Sequence, residues 1–580
     1  MFLFYLLLAC LILYYVVKKP STPRGLKKLP SPAGGKFYFG HFLQVGLEPY
    51  KKFTEWAKML GDIYSIQMGK QNWIILTGDK VVGDLLQKRG GKYSSRTPSY
   101  YFYQILTRNK AFIISPYNER YKMLLPIMLE MLSQRAVKEQ SDLIDSQFHI
   151  LMQNFYRAST NIKDSLYPKH YFQLASLNII TTLCSAKSIK DIEDPFYKEF
   201  EISQNDLIDL VKITNNLSDF FPILGWFSND KIYRRVIETR RMDETFYGKM
   251  IEDVKNVSEG KPYIEDPFYK EFEIFQKDFI DLVKITNNLF DFFPILGWFL
   301  NDKLYRRVIE KRRMTETFYG KMIEDVKNDS KGKPCFIKNL LHKMDEGILD
   351  ELDIVYTLVD LFGAGTDTVS SSLTWITAAL ANNPEVQYKA HQELDKIIGH
   401  SRLPSASDEP NLPYIRAIIK EGQRYCGPIY LGIPHYIEED DEYNGYHIPA
   451  NSVVILNQYG IHMDEKRYEN PKEFKPERFF GITENSAVLA NGNYQNRDHF
   501  GFGAGRRLCT GIHLAELELF LGVSRLLWCF KIENASPLGK DGKPMPIDLE
   551  KVHFGITVWP EMYHIKFIKR QENVEQVLFG

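Results

Sequence analysis

From Met1 to Val17 the chain carries no charge and is almost wholly apolar, a run at the short end of what crosses a bilayer. Lys18, Lys19, Arg24, Lys27 and Lys28 follow directly, so the pattern predicts an uncleaved signal anchor over residues 1–17 with the remainder on the cytosolic side. A cleaved secretory signal needs a positive start and small residues at the cut, and both are poor here. Residues 18–45 read as a basic hinge stiffened by Leu29-Pro30-Ser31-Pro32. Beyond it the apolar period changes repeatedly. Two β-rich runs from Ile63 to Gly78 flank Gly69-Lys70-Gln71-Asn72 and predict a hairpin. Asp79 is expected to cap a helix with Val82, Leu85 and Leu86 on one face, stopping at Gly90-Gly91. A long helical run follows Gly347 and ends at Asn382-Asn383-Pro384, and another is expected from about Ile512 to Phe530. Strand patterns return between His435 and Asn457 and from His553 to Ile568. The order predicts a mostly α chain with a small β region.

One stretch occurs twice. Residues 192–263 and 264–335 align without gaps, with 61 of 72 positions identical. Each copy reads as helix, apolar loop, helix. A solenoid needs three or more drifting units, so two near-identical copies mark a duplication or a doubled exon in a gene prediction. A chain with one copy would have 508 residues. The repeated loop carries Phe220, Phe221, Trp226 and Phe227, and again Phe292, Phe293, Trp298 and Phe299, a patch suited to lipid or a partner.

Composition narrows the class. An apolar share of 44% with 25% charged residues fits a globular protein with a large core. Lys+Arg and Asp+Glu both total 73, so no net charge points to nucleic acid or to an acidic substrate. Cys10, Cys184, Cys335, Cys426, Cys509 and Cys529 lack paired spacing, which fits reduced, cytosol-facing thiols. Cys509 and His513 lack a second Cys/His pair, which argues against zinc.

The candidate chemistry centres on Phe502-Gly503-Ala504-Gly505-Arg506-Arg507-Leu508-Cys509-Thr510-Gly511. A thiolate at the start of a helix is stabilised by free backbone N–H groups and the positive end of the dipole. Glycines allow left-handed angles and close approach to a flat ligand. The stretch is suited to presenting one thiolate to a large planar, anionic partner, with haem foremost. Gly363-Ala364-Gly365-Thr366-Asp367-Thr368 lies inside the long helix, where each glycine costs about 1 kcal/mol relative to alanine. A local bulge beside a ligand is one reason for such placement, and helix packing is the other.

With Phe seven, Gly four and Arg two residues before the cysteine and Gly two after it, the chain resembles the cytochrome P-450 superfamily of haem-thiolate monooxygenases. The resemblance covers the chain from the anchor onward. It implies one large catalytic domain over residues 46–580 behind the membrane anchor, with haem b as cofactor and Cys509 as its axial metal ligand. Phe502, Gly503 and Gly511 would shape that loop, and Arg507 and His435 would neutralise the haem propionates. The bulge would be the family's oxygen-binding kink, with Thr368 and Asp367 delivering protons. Glu421, Arg424 and Arg478 match a triad that braces the core. The family usually carries Trp and, four residues later, Arg on a helix that reaches a propionate. Here Tyr121 and Leu125 stand in those places, leaving Arg120 or Lys122 as nearby charges. The segment from Tyr93 to Tyr103 would wall the substrate pocket, and the duplicated unit would roof it.

The implied activity is insertion of one oxygen atom from O2 into an apolar small molecule. The chain has no flavin or nicotinamide fingerprint, so the resemblance implies electrons from a separate NADPH-dependent cytochrome P-450 reductase. It further implies contact with membrane lipid, residence in the endoplasmic reticulum membrane as a single-pass protein, and no nucleic-acid partner. Two other readings stand beside this one. The doubled roof could leave a haem-binding but catalytically impaired member, or the chain could rearrange peroxides without a reductase, against which Thr368 argues.

Overall fold

The computed structural model describes residues 22–580 except 37–39, 47, 70, 98–102, 105, 162–164, 190–199, 201–300, 330–331, 540–541 and 543. The anchor expected over residues 1–17 lies outside the described residues. So do the loop aromatics of both copies and part of the Tyr93–Tyr103 wall. Among the described residues no helix is long and apolar enough to cross a membrane. From Lys27 the expected hinge is docked. Lys27 and Lys28 pair in parallel with Tyr446 and His447, Leu29 is buried, and the Pro30 carbonyl accepts the Ser65 N–H at 2.8 Å.

Five strands form the larger sheet: β1 (Ile63–Met68), β2 (Gln71–Leu76), β3 (Ser95–Arg96), β4 (His435–Ile437) and β5 (Ser452–Leu456), in the order β1-β2-β5-β4-β3. The hairpin β1–β2 forms as the alternation predicts, turning through Gly69 at φ 57°. Central β5, reading Ser-Val-Val-Ile-Leu, is buried at every position because strands cover both its edges. Register carries the functional consequence: Arg96 of β3 stands opposite His435 of β4. At the C-terminal end Phe530–Asn534 pairs antiparallel with Ile565–Lys569.

The expected helix at residue 79 differs in detail. Gly78 is its N-cap and Asp79 its first residue, and after Val82 the winding loosens to a π-type turn over Gly83–Lys88. Gly90 and Gly91 begin a further helical turn instead of stopping the chain. The loosened turn lies where the cysteine loop presses on the Leu86 carbonyl, a contact between distant segments that local periodicity cannot report.

Six helices position the site: α1 (Glu119–Met131), α2 (Lys169–Ser185), α3 (Asn301–Asn328), α4 (Glu351–Asn382), α5 (Pro413–Tyr425) and α6 (Ile512–Cys529). The longest, α4, starts at a reciprocal capping box between Asp350 and Asp353 and ends before Pro384. Its 32 residues span roughly 48 Å at helical rise. From Val369 to Ala381 every residue is buried, as suits a helix packed on several sides. Glycines set the close crossings around it. A Cβ at Gly365 would lie 2.5 Å from Ile180 of α2, one at Gly422 of α5 2.4 Å from Ile376, and one at Gly522 of α6 2.7 Å from Leu373. The bulge expected at Gly363–Thr368 is absent: α4 is regular α-helix throughout. Packing is the reason for Gly365.

Candidate functional site

Cys509 stands on a loop tied down from several directions. Gly503 at φ 78° and Gly505 at φ 63° take left-handed angles that a side chain would strain. Gly505 also lies so close to the loosened turn that a Cβ would fall 1.8 Å from the Leu86 oxygen. Gly503 N–H donates to the Phe500 carbonyl and Cys509 N–H to the Phe502 carbonyl, both at 2.9 Å. Arg497 stacks on the Phe500 ring at 4.4 Å and donates to the His499 carbonyl at 2.8 Å and to the Gly503 carbonyl. Phe502 packs with Ala487, Ala490 and Ile512, fastening the loop to the start of α6. Gly511 is the N-cap of that helix.

The Cys509 side chain is exposed, yet protein surrounds it closely enough that burial pushes its thiol pKa up. Together these place it on an internal space. The Gly511 N–H, hydrogen-bonded to the sulfur, pulls the pKa partly back. The neighbouring arginines do not help. Arg506 donates to the Tyr117 hydroxyl at 2.7 Å, and Arg507 to the Ser94 carbonyl at 2.6 Å and the Ser115 carbonyl at 2.5 Å. Neither arginine therefore stands at the sulfur, and the burial of the thiol favours its neutral form.

Arg507 belongs instead to a cationic cluster. Its guanidinium lies over the Tyr121 ring at 3.6 Å. The strand register brings in Arg96, whose guanidinium is buried and donates to the carbonyls of Ile113 (3.2 Å), Ile433 (2.5 Å) and Pro434 (3.1 Å). His435 completes the cluster, its Nδ1 2.7 Å from the Tyr93 carbonyl. Burial and then the Arg507 charge lower Arg96 to about 9, and burial lowers Arg507 to about 10. Burial, then Arg96, hold His435 well below its ordinary value. Among the described residues no carboxylate is a leading influence on any of the three. Buried like charges facing carbonyls and a tyrosine ring favour an anion between them.

Sequence reasoning placed Arg507 and His435 here and missed Arg96, which it read as part of an aromatic loop. The only local signal was an arginine in a short Ser-Arg-Thr-Pro run; the pairing that buries it joins β3 to the distant β4. Arg120 and Lys122 do not supply the missing charge. Arg120 pairs with Asp353 and donates to the Lys110 carbonyl at 2.7 Å, while Lys122 meets Glu119 at 2.7 Å near the surface. Leu125 packs against the core. Tyr121 is buried, stacks on Phe112 at 4.9 Å and donates its hydroxyl to the Arg506 carbonyl at 3.0 Å.

Thr368 and Asp367 face different surroundings, as successive residues roughly 100° apart on a helix must. The Thr368 hydroxyl donates to the Ala364 carbonyl at 2.7 Å. Ala364 is exposed in the middle of an otherwise well-covered helix, and no described residue lies within 4 Å of where a Gly363 side chain would start. The Asp367 carboxyl turns to α2, where Gln173 hydrogen-bonds it and Lys169 is near; burial dominates and raises its pKa. Helices α4 and α6 cross at Leu373 and Gly522, and Ala364 and Cys509 both lie N-terminal to that crossing.

The triad assembles. Arg424 grips Glu421 through two bonds of 2.7 and 2.8 Å, both side chains fully buried, and donates to the carbonyls of His462 and Pro471 at 2.9 Å each. Arg478 reaches Glu421 at 3.4 Å and donates to the Asn470 carbonyl at 2.7 Å. His462 in turn accepts the Phe500 N–H at 2.8 Å, so the triad is coupled to the cysteine loop.

The family model described as Cytochrome P450 matches residues 30–263 and 256–546. The chain belongs to the cytochrome P450 family. The match divides near the end of the first repeat copy, consistent with the duplication. Among curated relatives, Cytochrome P450 monooxygenase 231 of Postia placenta is 27% identical over 99% of this chain and 94% of its own length. Cytochrome P450 monooxygenase atE of Aspergillus terreus is 30% identical over 84% of this chain and 78% of its own length. A solved zebra fish cytochrome P450, described as a structure with progesterone, superposes with a TM-score of 0.65 at 21% identity, covering 90% of this chain and 99% of that one, and shows the shared fold. The protein is a P450 monooxygenase, and the family's cofactor is haem b with a cysteine thiolate as axial ligand. Cys509 on its internal space and the uncompensated cations fit that group.

Proposed function

We propose that this chain oxidises an apolar small molecule with O2, taking electrons from a separate NADPH-dependent reductase, and that Cys509 is the thiolate ligand. The observation that carries the assignment is the pairing of an internally exposed Cys509 with two buried cations, Arg96 and Arg507, and the neutral His435 ring beside them. Haem, when bound, supplies the oxygen activation, and thiolate ligation favours O–O cleavage. The chain's residues do the rest. Gly511 tempers the thiolate's charge through its N–H. The cation cluster fixes the cofactor's orientation through its carboxylates. Thr368 holds a proton at Oγ1 beside the open face at Gly363 and Ala364. Asp367, whose carboxyl burial raises in pKa, is held toward α2 and reaches Thr368 only by turning away from Gln173. The uncharged run at residues 1–17 supports a single-pass anchor in the endoplasmic reticulum membrane with the domain in the cytosol.

The test is coupling. In a reconstituted system with reductase, NADPH and an apolar probe substrate, Thr368→Ala should keep the haem spectrum and consume O2 while product per O2 falls about a hundredfold, the low end of what a positioned proton donor contributes. Unchanged coupling in T368A would remove Thr368 from the proton path.

A further inference from the structure

Position 272 repeats position 200, and residues 229–256 repeat residues 301–328 with every aromatic kept. Each half of the segment over α4 therefore has two near-equal candidates, and among the described residues one from each copy lies there. Phe200, from the first copy, lies against Phe362 of α4 with ring centroids 5.9 Å apart. Tyr319, from the second copy, packs on the same Phe362 ring at 5.5 Å, and Phe318 meets Tyr319 at 4.9 Å. Phe362 immediately precedes the Gly363–Thr368 stretch. Thr315, Phe318, Met322, Ile323 and Val326 of α3 are all buried and recur at three and four residues, one continuous docking stripe.

Most of the seat does not discriminate between the copies. Glu316 accepts from the Tyr356 hydroxyl at 3.0 Å and pairs with Arg108 at 2.9 Å, and Glu244 could do the same. Position 315 does discriminate. Thr315 is buried, and its counterpart is Asp243. A carboxylate in that seat would be desolvated, and the lysine one helical turn earlier, Lys311, is Thr239 in the first copy.

We propose that the pocket roof is composite, opening with the first copy through Phe200 and closing with the second through α3, and that Thr315 rather than Asp243 selects the closing helix. The inference rests on the monooxygenase reading only in calling this face the roof of the substrate pocket.

Four alanine variants of the full chain decide it, read by thermal unfolding and by the carbon monoxide spectrum of the reduced protein. Phe200→Ala and Phe318→Ala should each lower the unfolding midpoint by on the order of 5 °C, while Phe272→Ala and Phe246→Ala shift it by no more than about 1 °C. Losses at Phe200 and Phe246 would mean that the first copy forms the whole roof, and losses at Phe272 and Phe318 that the second does. Either pattern, or equal effects at all four positions, overturns the composite roof. Phe318→Leu stands in if the alanine variant does not fold. Thr315→Asp should follow Phe318→Ala, with Asp243→Thr silent; the reverse contradicts the selection. A failure of the haem-thiolate reading would remove the carbon monoxide signature from every variant and leave the unfolding pattern intact.

Discussion

Arg96 and Arg507 repel one another in a buried setting, so truncating one should have opposite effects on the empty and the loaded protein. Arg96→Gln removes a desolvated charge that only carbonyls satisfy. The haem-free form should become more stable, or at least no less stable, while haem affinity falls about tenfold, the worth of one charge-assisted hydrogen bond. Haem transfer to an acceptor protein and denaturation of the stripped form measure the two halves. A variant that holds haem normally but unfolds more easily would make Arg96 a structural residue only. At this scale the sequence was legible where chemistry is local. The Gly-rich turn, the thiol and the N–H of Gly511 belong to one contiguous stretch, and His435 was placed by the pattern around it. Arg96 was not legible because its meaning comes from the residue across the sheet.

Among elements, the α5 helix carries the strongest single coupling. Glu421 and Arg424 are fully buried, held by paired bonds, and connected through His462 to the loop that presents Cys509. Glu421→Ala leaves the Arg424 guanidinium buried without its counter-charge, which should cost about 3–5 kcal/mol. Urea denaturation would show this as a lowered midpoint, accompanied by faster haem loss because the loop is tied to the same residues. A loss under about 1 kcal/mol would make the triad incidental. Long elements were read well from the chain. Helix α4 announces both ends, through its capping box and through Pro384, and the β1–β2 hairpin follows from alternation about Gly69. Where the reading failed, a distant partner set the backbone. The loosened turn at Gly83–Lys88 answers to Gly505, and the glycine placed for a bulge, Gly365, instead admits Ile180.

The whole molecule also holds protons that its unfolded chain would release. Burial raises Asp360, which accepts the Phe112 and Ile113 N–H groups, to about 7, and raises Glu516 to about 7. The folded state binds these protons more tightly than the unfolded chain, whose carboxylates titrate near pH ~4. Stability contributed by both groups is therefore full at low pH, falls as pH rises toward 7, and levels off above it. Asp360→Asn should flatten that slope, compared by urea midpoints at about pH 5 and 8; an unchanged slope would mean that Asp360 ionises freely in the fold. The duplication is the whole-molecule feature that sequence comparison displayed most plainly and interpreted least. Two copies with 61 identities look interchangeable along the chain; among the described residues, buried Thr315 and Lys311, where the other copy has Asp243 and Thr239, separate them.

The central claim is that Cys509 ligates haem as a thiolate within this frame, and one spectrum tests it most directly. Carbon monoxide added to the reduced, haem-loaded protein should give the red-shifted Soret band of thiolate ligation, and Cys509→Ser should lose that shift while the chain still folds. A wild-type band without the shift, or the same shifted band in C509S, would contradict the account.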